Sequence, residues 1–182
     1  KYDNMAWKKK PKNSFGQKVD IDGEDIKNLK VWKAKNPKKL YFDSKFEWKV
    51  FKLFEEEGFN FQFHPETRTV LEGFQAWALS KGKGNRRIFK SKVRPITYTS
   101  DFLIFCNNGT NIYVEAKGFF FGESRLRYKL FQASLEPNEI TVLVYDKQNK
   151  MLDVKALINI INEEYGGSSK KANKAKKNKI KL

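Results

Sequence analysis

The stretch Ser100-Asp-Phe-Leu-Ile-Phe-Cys-Asn-Asn-Gly-Thr-Asn-Ile-Tyr-Val-Glu-Ala-Lys117 decides the fold. β-Branched and aromatic residues run from Ile96 to Phe105, Asn107-Asn108-Gly109 supplies turn residues, and Thr110 to Lys117 returns as a second strand. This spacing predicts a buried β-hairpin. Three charged residues stand where a core strand favours apolar ones. Asp101 precedes Phe-Leu-Ile-Phe, while Glu115 and Lys117 are two residues apart and so share a face. Burying such groups without partners is costly, so they need a reason to be there. Loop parity sharpens the point. A two-residue Asn108-Gly109 turn would set Asp101 opposite Ala116, facing away from Glu115. A three-residue loop with Gly109 left-handed pairs Cys106 with Thr110 and sets Asp101 opposite Glu115. A metal site requires the odd-length loop, and an intervening bulge is the main way to break the parity. Two neighbouring carboxylates repel unless a cation lies between them. Oxygen ligands suit magnesium or manganese rather than zinc, and Lys117 is placed to orient or deprotonate a water, or to stabilise charge on a phosphate.

Outward from the hairpin, Phe46, Val50, Phe51 and Phe54 recur at helical spacing, Ser44 stands ready as an N-cap and Gly58 closes the run. A helix is expected from Ser44 to Glu57. Phe59 to Phe63 alternates as a strand, and Thr67 to Trp77 is loosely β-like, with a helix over Leu71–Ser80 as the alternative. Lys81 to Arg87 is a basic, glycine-containing loop without the pattern of a phosphate cradle. Leu126, Leu130 and Phe131 predict a helix over Glu123–Ser134, Ile140–Tyr145 a strand, and Asp153–Tyr165 a last helix. Val19 to Glu24 reads as a short strand and turn, and Asn36-Pro37 as a boundary. The order, helix, strands, helix, strand, helix, is that of a mixed α/β (α+β) domain.

The 182 residues fit one domain, residues 14–165, with appendages at both ends. Aromatic residues at 15% supply material for a core. The charge of +16 is concentrated in the ends. Residues 1–13 hold +4 and residues 166–182 hold +7, which leaves +5 for the body. Both ends read as disordered basic arms, and a polyanion, foremost nucleic acid, is the partner such arms attract; a merely solubilising tail is the bland alternative. A membrane is not expected, because no long uncharged apolar run occurs and no apolar segment follows the N-terminal lysines to form a signal peptide. The chain opens on Lys rather than Met, so its true start is expected upstream. One cysteine, Cys106, and one histidine, His64, give neither a disulfide nor a Cys/His zinc site, as expected inside a cell.

Asp101 followed by Glu115-Ala116-Lys117, in this order of elements, resembles the signature of the PD-(D/E)XK nuclease superfamily. Phe42-Asp-Ser-Lys-Phe-Glu47, Val93-Arg-Pro-Ile-Thr-Tyr-Thr-Ser-Asp-Phe102 and Val114-Glu-Ala-Lys-Gly118 resemble its small phage-encoded endonucleases, of the phage endonuclease I and Holliday-junction resolvase types. The likeness spans about Leu40 to Tyr145, with Ser100 where the signature has proline. It implies a restriction-endonuclease-like core, a central mixed sheet flanked by helices in the order αβββαβ with a further C-terminal helix. It also implies a metal-dependent DNA endonuclease that hydrolyses phosphodiester bonds with Mg2+, or Mn2+ as substitute. Asp101, Glu115 and the Ala116 carbonyl would bind metal, Lys117 would position the attacking water, and Glu47 would ligate a second ion or hold a water on the first. Branched or junction DNA as substrate, a homodimer for paired incisions, and the cytoplasm of a bacterial host follow from the same likeness.

Each residue also has a plainer reading. Glu47 completes a capping box with Ser44, and Glu115 with Lys117 could be a structural ion pair. Lys45, Arg125, Arg127 and Lys129 are phosphate contacts or solvated charges; Arg125 and Lys129, one helical turn apart, are the favoured contacts, with Lys45 beside them. His64 before Pro65 reads as a loop residue rather than a base. Tyr98 and Trp77 take no role. From another class, a non-catalytic nucleic-acid-binding protein on a nuclease-like scaffold shares the charge and the arms. It would gain nothing from clustering acids where phosphate must approach.

Overall fold

Ser44 opens the helix that the phenylalanine spacing predicts: its hydroxyl accepts from the Glu47 amide at 3.1 Å, and the helix runs Lys45–Glu56. The computed structural model describes residues 17–79, 88–117, 122–145 and 151–168. The N-terminal arm, the 81–87 loop and the lysines after residue 168 lie outside the described residues. In chain order the elements begin with β1 (Val19–Asp20), α1 (Leu29–Lys35), β2 (Tyr41–Phe42), α2 (Lys45–Glu56) and β3 (Phe61–Phe63). Next come β4 (Arg68–Leu71), β5 (Phe74–Leu79), β6 (Ile88–Val93) and β7 (Ile96–Tyr98). The chain then forms β8 (Phe102–Phe105), β9 (Asn111–Lys117), α3 (Gly122–Ala133), β10 (Glu139–Tyr145) and α4 (Leu152–Glu164).

The main sheet has the order β10-β9-β8-β3 and is mixed: β9 and β10 run parallel, the other pairs antiparallel. The parallel pair needs a crossover, and α3 lies in it. Alternation along β9 divides the interior. Ile112, Val114 and Ala116 join Phe46, Val50 and Phe54 of α2 and Val154, Leu157 and Ile161 of α4 in one core. Tyr113 and Leu103 pack with Tyr98, Tyr128 and Phe131 in a second. Both faces of the sheet are thus covered, which is why β8 is apolar throughout. No helix among the described residues is long and apolar enough to cross a membrane.

β4 and β7 form a short ribbon over α3, tied to the sheet by Arg68. Its guanidinium donates to both oxygens of Glu139, each at 2.7 Å, and also to the Ser134 carbonyl and the Tyr113 hydroxyl. The Arg68 bonds lead the causes that hold the Glu139 carboxyl down to about 2, outweighing burial. A carboxyl depressed in the folded state stabilises above its ordinary value of 4.5, and that stability disappears as pH falls toward 2. Arg68→Met is therefore expected to cost on the order of 2 kcal/mol at neutral pH and to flatten the loss of melting temperature between pH 5 and 2, read by thermal melts.

Several expectations are corrected. The alternative helix over Leu71–Ser80 gives way to β5, a strand. Ile96–Phe105 is two strands, because the chain turns at residues 99–101: β7 pairs with β4 and β8 with β9. On α3 the buried residues are Tyr128 and Phe131, while Leu126 is exposed, because the aromatics of β7 and β9 choose the face. Helix α1, which buries no residue, has no apolar stripe to betray it. Gly166 to Ser168, assigned to the C-terminal arm, belong to the fold: the Ser168 hydroxyl donates to the Phe105 carbonyl at 2.6 Å, and the Asn60 amide donates to the Ser168 carbonyl at 2.8 Å.

Candidate functional site

The hairpin takes the odd-length loop. Cys106 donates to the Thr110 carbonyl at 2.9 Å, and Asn108 Oδ1 accepts from the Thr110 amide. Gly109 adopts φ +94°, a left-handed conformation that glycine enters without strain. The register Phe102↔Val114, Leu103↔Tyr113, Ile104↔Ile112 leads one step on to Asp101 beside Glu115. Asp101 Oδ2 accepts the Ala116 amide at 2.7 Å, so at Ala116 it is the N–H that holds the acid in place. Buried Ser100 shapes the approach, its hydroxyl donating to the Phe102 carbonyl at 3.2 Å.

Strand β3 brings in a residue that the sequence left in a loop. Its register, Phe61↔Ile104 and Phe63↔Phe102, continues to His64, whose amide donates to the Asp101 carbonyl at 2.9 Å. His64 sits at φ +46°, in the left-handed region, immediately before Pro65. A non-glycine residue is strained there and needs its surroundings to hold it. The ring stacks on Phe63 at 3.9 Å, and Nε2 donates to Glu47 Oε1 at 2.9 Å. That bond, together with the nearby acids, raises the His64 pKa against the opposing effect of burial.

Glu47 points inward, and its capping box is only half formed: the Ser44 hydroxyl accepts the Glu47 amide, but the carboxylate reaches past the N-cap amide. Oε2 accepts the amide of Asp43, one residue before the cap, at 2.8 Å, while Oε1 points to His64. The side chain is 3% exposed. Glu47, His64 and Asp101 each offer one ligand atom, all within 4.8 Å of one another, and this group could hold a metal ion. Glu115 lies on the other side of Asp101: Lys117 Nζ is 2.6 Å from Glu115 Oε1 and 3.7 Å from Asp101 Oδ2. Glu115 Oε2 is buried with no hydrogen bond of good geometry among the described residues.

The electrostatics of the cluster are unbalanced. Three carboxylates face one lysine and one histidine. Burial first, and then Glu115, push the Asp101 carboxyl well above the ordinary range, although Lys117 and the Ala116 amide oppose the shift. Burial works against the charge on Lys117, yet Asp101, Glu115 and Glu47 outweigh it and keep its pKa above that of an ordinary lysine. An ammonium held this way suits orienting a water or stabilising phosphate charge better than taking up a proton. The Tyr98 hydroxyl is raised as well, first by burial and then by Glu115.

Glu47, Asp101, Glu115 and Lys117 therefore come together, and His64 joins them. The phosphate candidates separate. Lys45 pairs with Asp25 at 3.1 Å and Arg127 with Glu123 at 2.6 Å, whereas Arg125 and Lys129 are exposed on α3 with no ion pair among the described residues. His64 was hidden because residues 65–100 separate it from Asp101, and only the β3–β8 register, which no local spacing reveals, brings the two together. No curated protein and no solved structure matches the chain. A family model described as "Protein of unknown function (DUF1064)" matches residues 32–157, well over half of the chain, and takes in all five clustered residues. The chain belongs to this DUF1064 family.

Proposed function

We propose that the protein is a metal-dependent DNA endonuclease that hydrolyses phosphodiester bonds, related to the PD-(D/E)XK nucleases. One observation carries this reading: the odd-length hairpin puts Asp101 beside Glu115, with Lys117 within 4 Å of both. The succession α2, β3, β8, β9, α3, β10 through the main sheet supports the restriction-endonuclease-like order, with residues 65–100 as an insertion.

The residues fit a divalent cation. Carboxylates about 4 Å apart repel by roughly 4 kcal/mol at an effective dielectric constant of 20, so the cluster gains by taking up positive charge. The buried Glu115 carboxylate, which interacts with the Tyr98 hydroxyl but has no hydrogen bond of good geometry at Oε2, is suited to the same ligand. Asp101 and Glu115, with the Ala116 carbonyl, would hold one ion; Glu47 and His64 would share Asp101 with a second. Such ions supply Lewis-acid stabilisation of the attacked phosphate and the leaving oxygen. Lys117 orients the attacking water, and Arg125 and Lys129 grip flanking phosphates. Junction DNA as preferred substrate and a homodimer for paired cuts remain part of the proposal.

His64 sharpens the choice of metal, since an imidazole ligand favours manganese over magnesium. In nicking assays on supercoiled DNA, His64→Ala is expected to lose about 10- to 100-fold of the Mn2+-supported rate and less of the Mg2+-supported rate. Equal loss with both ions would remove His64 from the ligand set, and no nicking by the wild-type chain with either ion would end the nuclease reading.

A further inference from the structure

The chain between His64 and Asp101 leaves the site as two strands and comes back to it. Near the body, β4 and β7 pack on α3; beyond them, β5 and β6 pair only with each other among the described residues, in register from Phe74↔Val93 to Leu79↔Ile88. Gly73 allows the close crossing between the two halves, for a Cβ there would lie 2.9 Å from the Val93 carbonyl oxygen. The outer ribbon carries side chains that a free surface does not favour. Trp77 is 70% exposed and Ile88 71%. Register sets Trp77 opposite Lys90 and Gln75 opposite Lys92, so these four share one face, with the Lys90 ammonium 5.5 Å from the centre of the Trp77 ring. Residues 73–94 contain seven basic residues and no acidic one.

We infer that the β5–β6 ribbon is a DNA-gripping arm that holds duplex substrate beside the acidic cluster, with Lys90 and Lys92 on phosphates and Trp77 against a sugar or base. This rests on the nuclease reading for its choice of partner. A two-stranded ribbon matches the width of a DNA groove, and an indole flanked by lysines on an otherwise acid-free element is complementary to a polyanion carrying flat rings. The same charge works against the obvious rival, edge-to-edge pairing with a second copy, because two such ribbons repel. The two ends of the insertion are fixed at the site by the bond from His64 to Asp101, so the ribbon is rooted at the carboxylates.

The test is DNA binding by the full chain, with chelator present so that nothing is cut, using fluorescence anisotropy of a labelled duplex across a salt series. Trp77→Ala is expected to weaken binding about 10-fold, in line with the loss of one stacked contact. Lys90→Ala with Lys92→Ala is expected to lower the slope of log affinity against log salt by about 2, one phosphate contact each. Melting temperatures should stay at the wild-type value, since these side chains are exposed. Wild-type affinity and slope in both variants would overturn the proposal. So would a concentration-dependent dimer, seen by sedimentation without DNA and lost in Trp77→Ala, which would give the ribbon to a second copy. A chain that never cuts DNA, yet loses affinity in these variants, would retain the arm and discard the nuclease. One that cuts, with binding indifferent to the ribbon, would do the reverse.

Discussion

Asp101→Asn is expected to lower metal-supported DNA cleavage on the order of 10³-fold while leaving the melting temperature unchanged or higher. The two effects have one cause. Asp101 is the carboxylate that both proposed ion sites would share, grouped with Glu47 and His64 and also 3.7 Å from the Lys117 ammonium that pairs with Glu115. Burial and Glu115 disfavour its charge, so its pKa is raised in the folded state. A carboxyl whose folded pKa is raised loses stability progressively as pH climbs from its ordinary value of 3.8 toward the raised one, and the neutral amide removes that cost while its oxygen still accepts from the Ala116 amide. A purely structural ion pair behaves the opposite way: removing Asp101 would then lower the melting temperature and leave DNA untouched. Cleavage assays and thermal melts on the same preparation separate the two.

Phe102→Ala is expected to destabilise the fold by about 3–5 kcal/mol, a large part of what a domain of this size has. Phe102 is fully buried at the start of β8, one residue after Asp101. Its ring meets Phe54 and Phe63 at 5.4 Å and Phe61 at 6.1 Å, so truncation opens a cavity where α2, β3 and β8 join. Those three elements also carry or adjoin Glu47, His64 and Asp101. Chemical denaturation should show a lower midpoint with an unchanged slope, and at temperatures where the variant is still folded its cleavage should also fall, because the cavity loosens the spacing of the ligands.

What could be read in advance was whatever depended on nearby residues. The α2 face and its Ser44 cap are fixed within a few positions of the residues that determine them, whereas the Asn107–Gly109 turn left two loop lengths open, of which the structure takes the three-residue one that sets Asp101 beside Glu115. Glu47 was legible as either a cap or an inward acid; it is the inward acid, and its second oxygen takes the amide of Asp43 rather than that of the N-cap Ser44. His64 was not legible, since its place depends on β3 pairing across the residue 65–100 insertion. Nor was the ribbon: Trp77 has strand-like neighbours, but nothing local says whether an aromatic residue in a strand faces a core or the solvent. On α3, Leu126 and Leu130 satisfy helical spacing as well as Tyr128 and Phe131 do, and only the aromatic partners on β7 and β9 decide between them.

The most direct measurement is cleavage of supercoiled, linear, single-stranded and four-way-junction DNA by the wild-type chain and Lys117→Ala, each in Mg2+, Mn2+ and chelator, at one stated salt concentration. On the nuclease reading proposed above, Lys117 would support the attacking water without being a metal ligand, so its loss should slow cutting by about 10² to 10⁴-fold while DNA retention persists. Metal-dependent cutting that collapses in Lys117→Ala is the expected result. Retention of every DNA without cutting, or cutting at the same rate in the variant and in chelator, would contradict it.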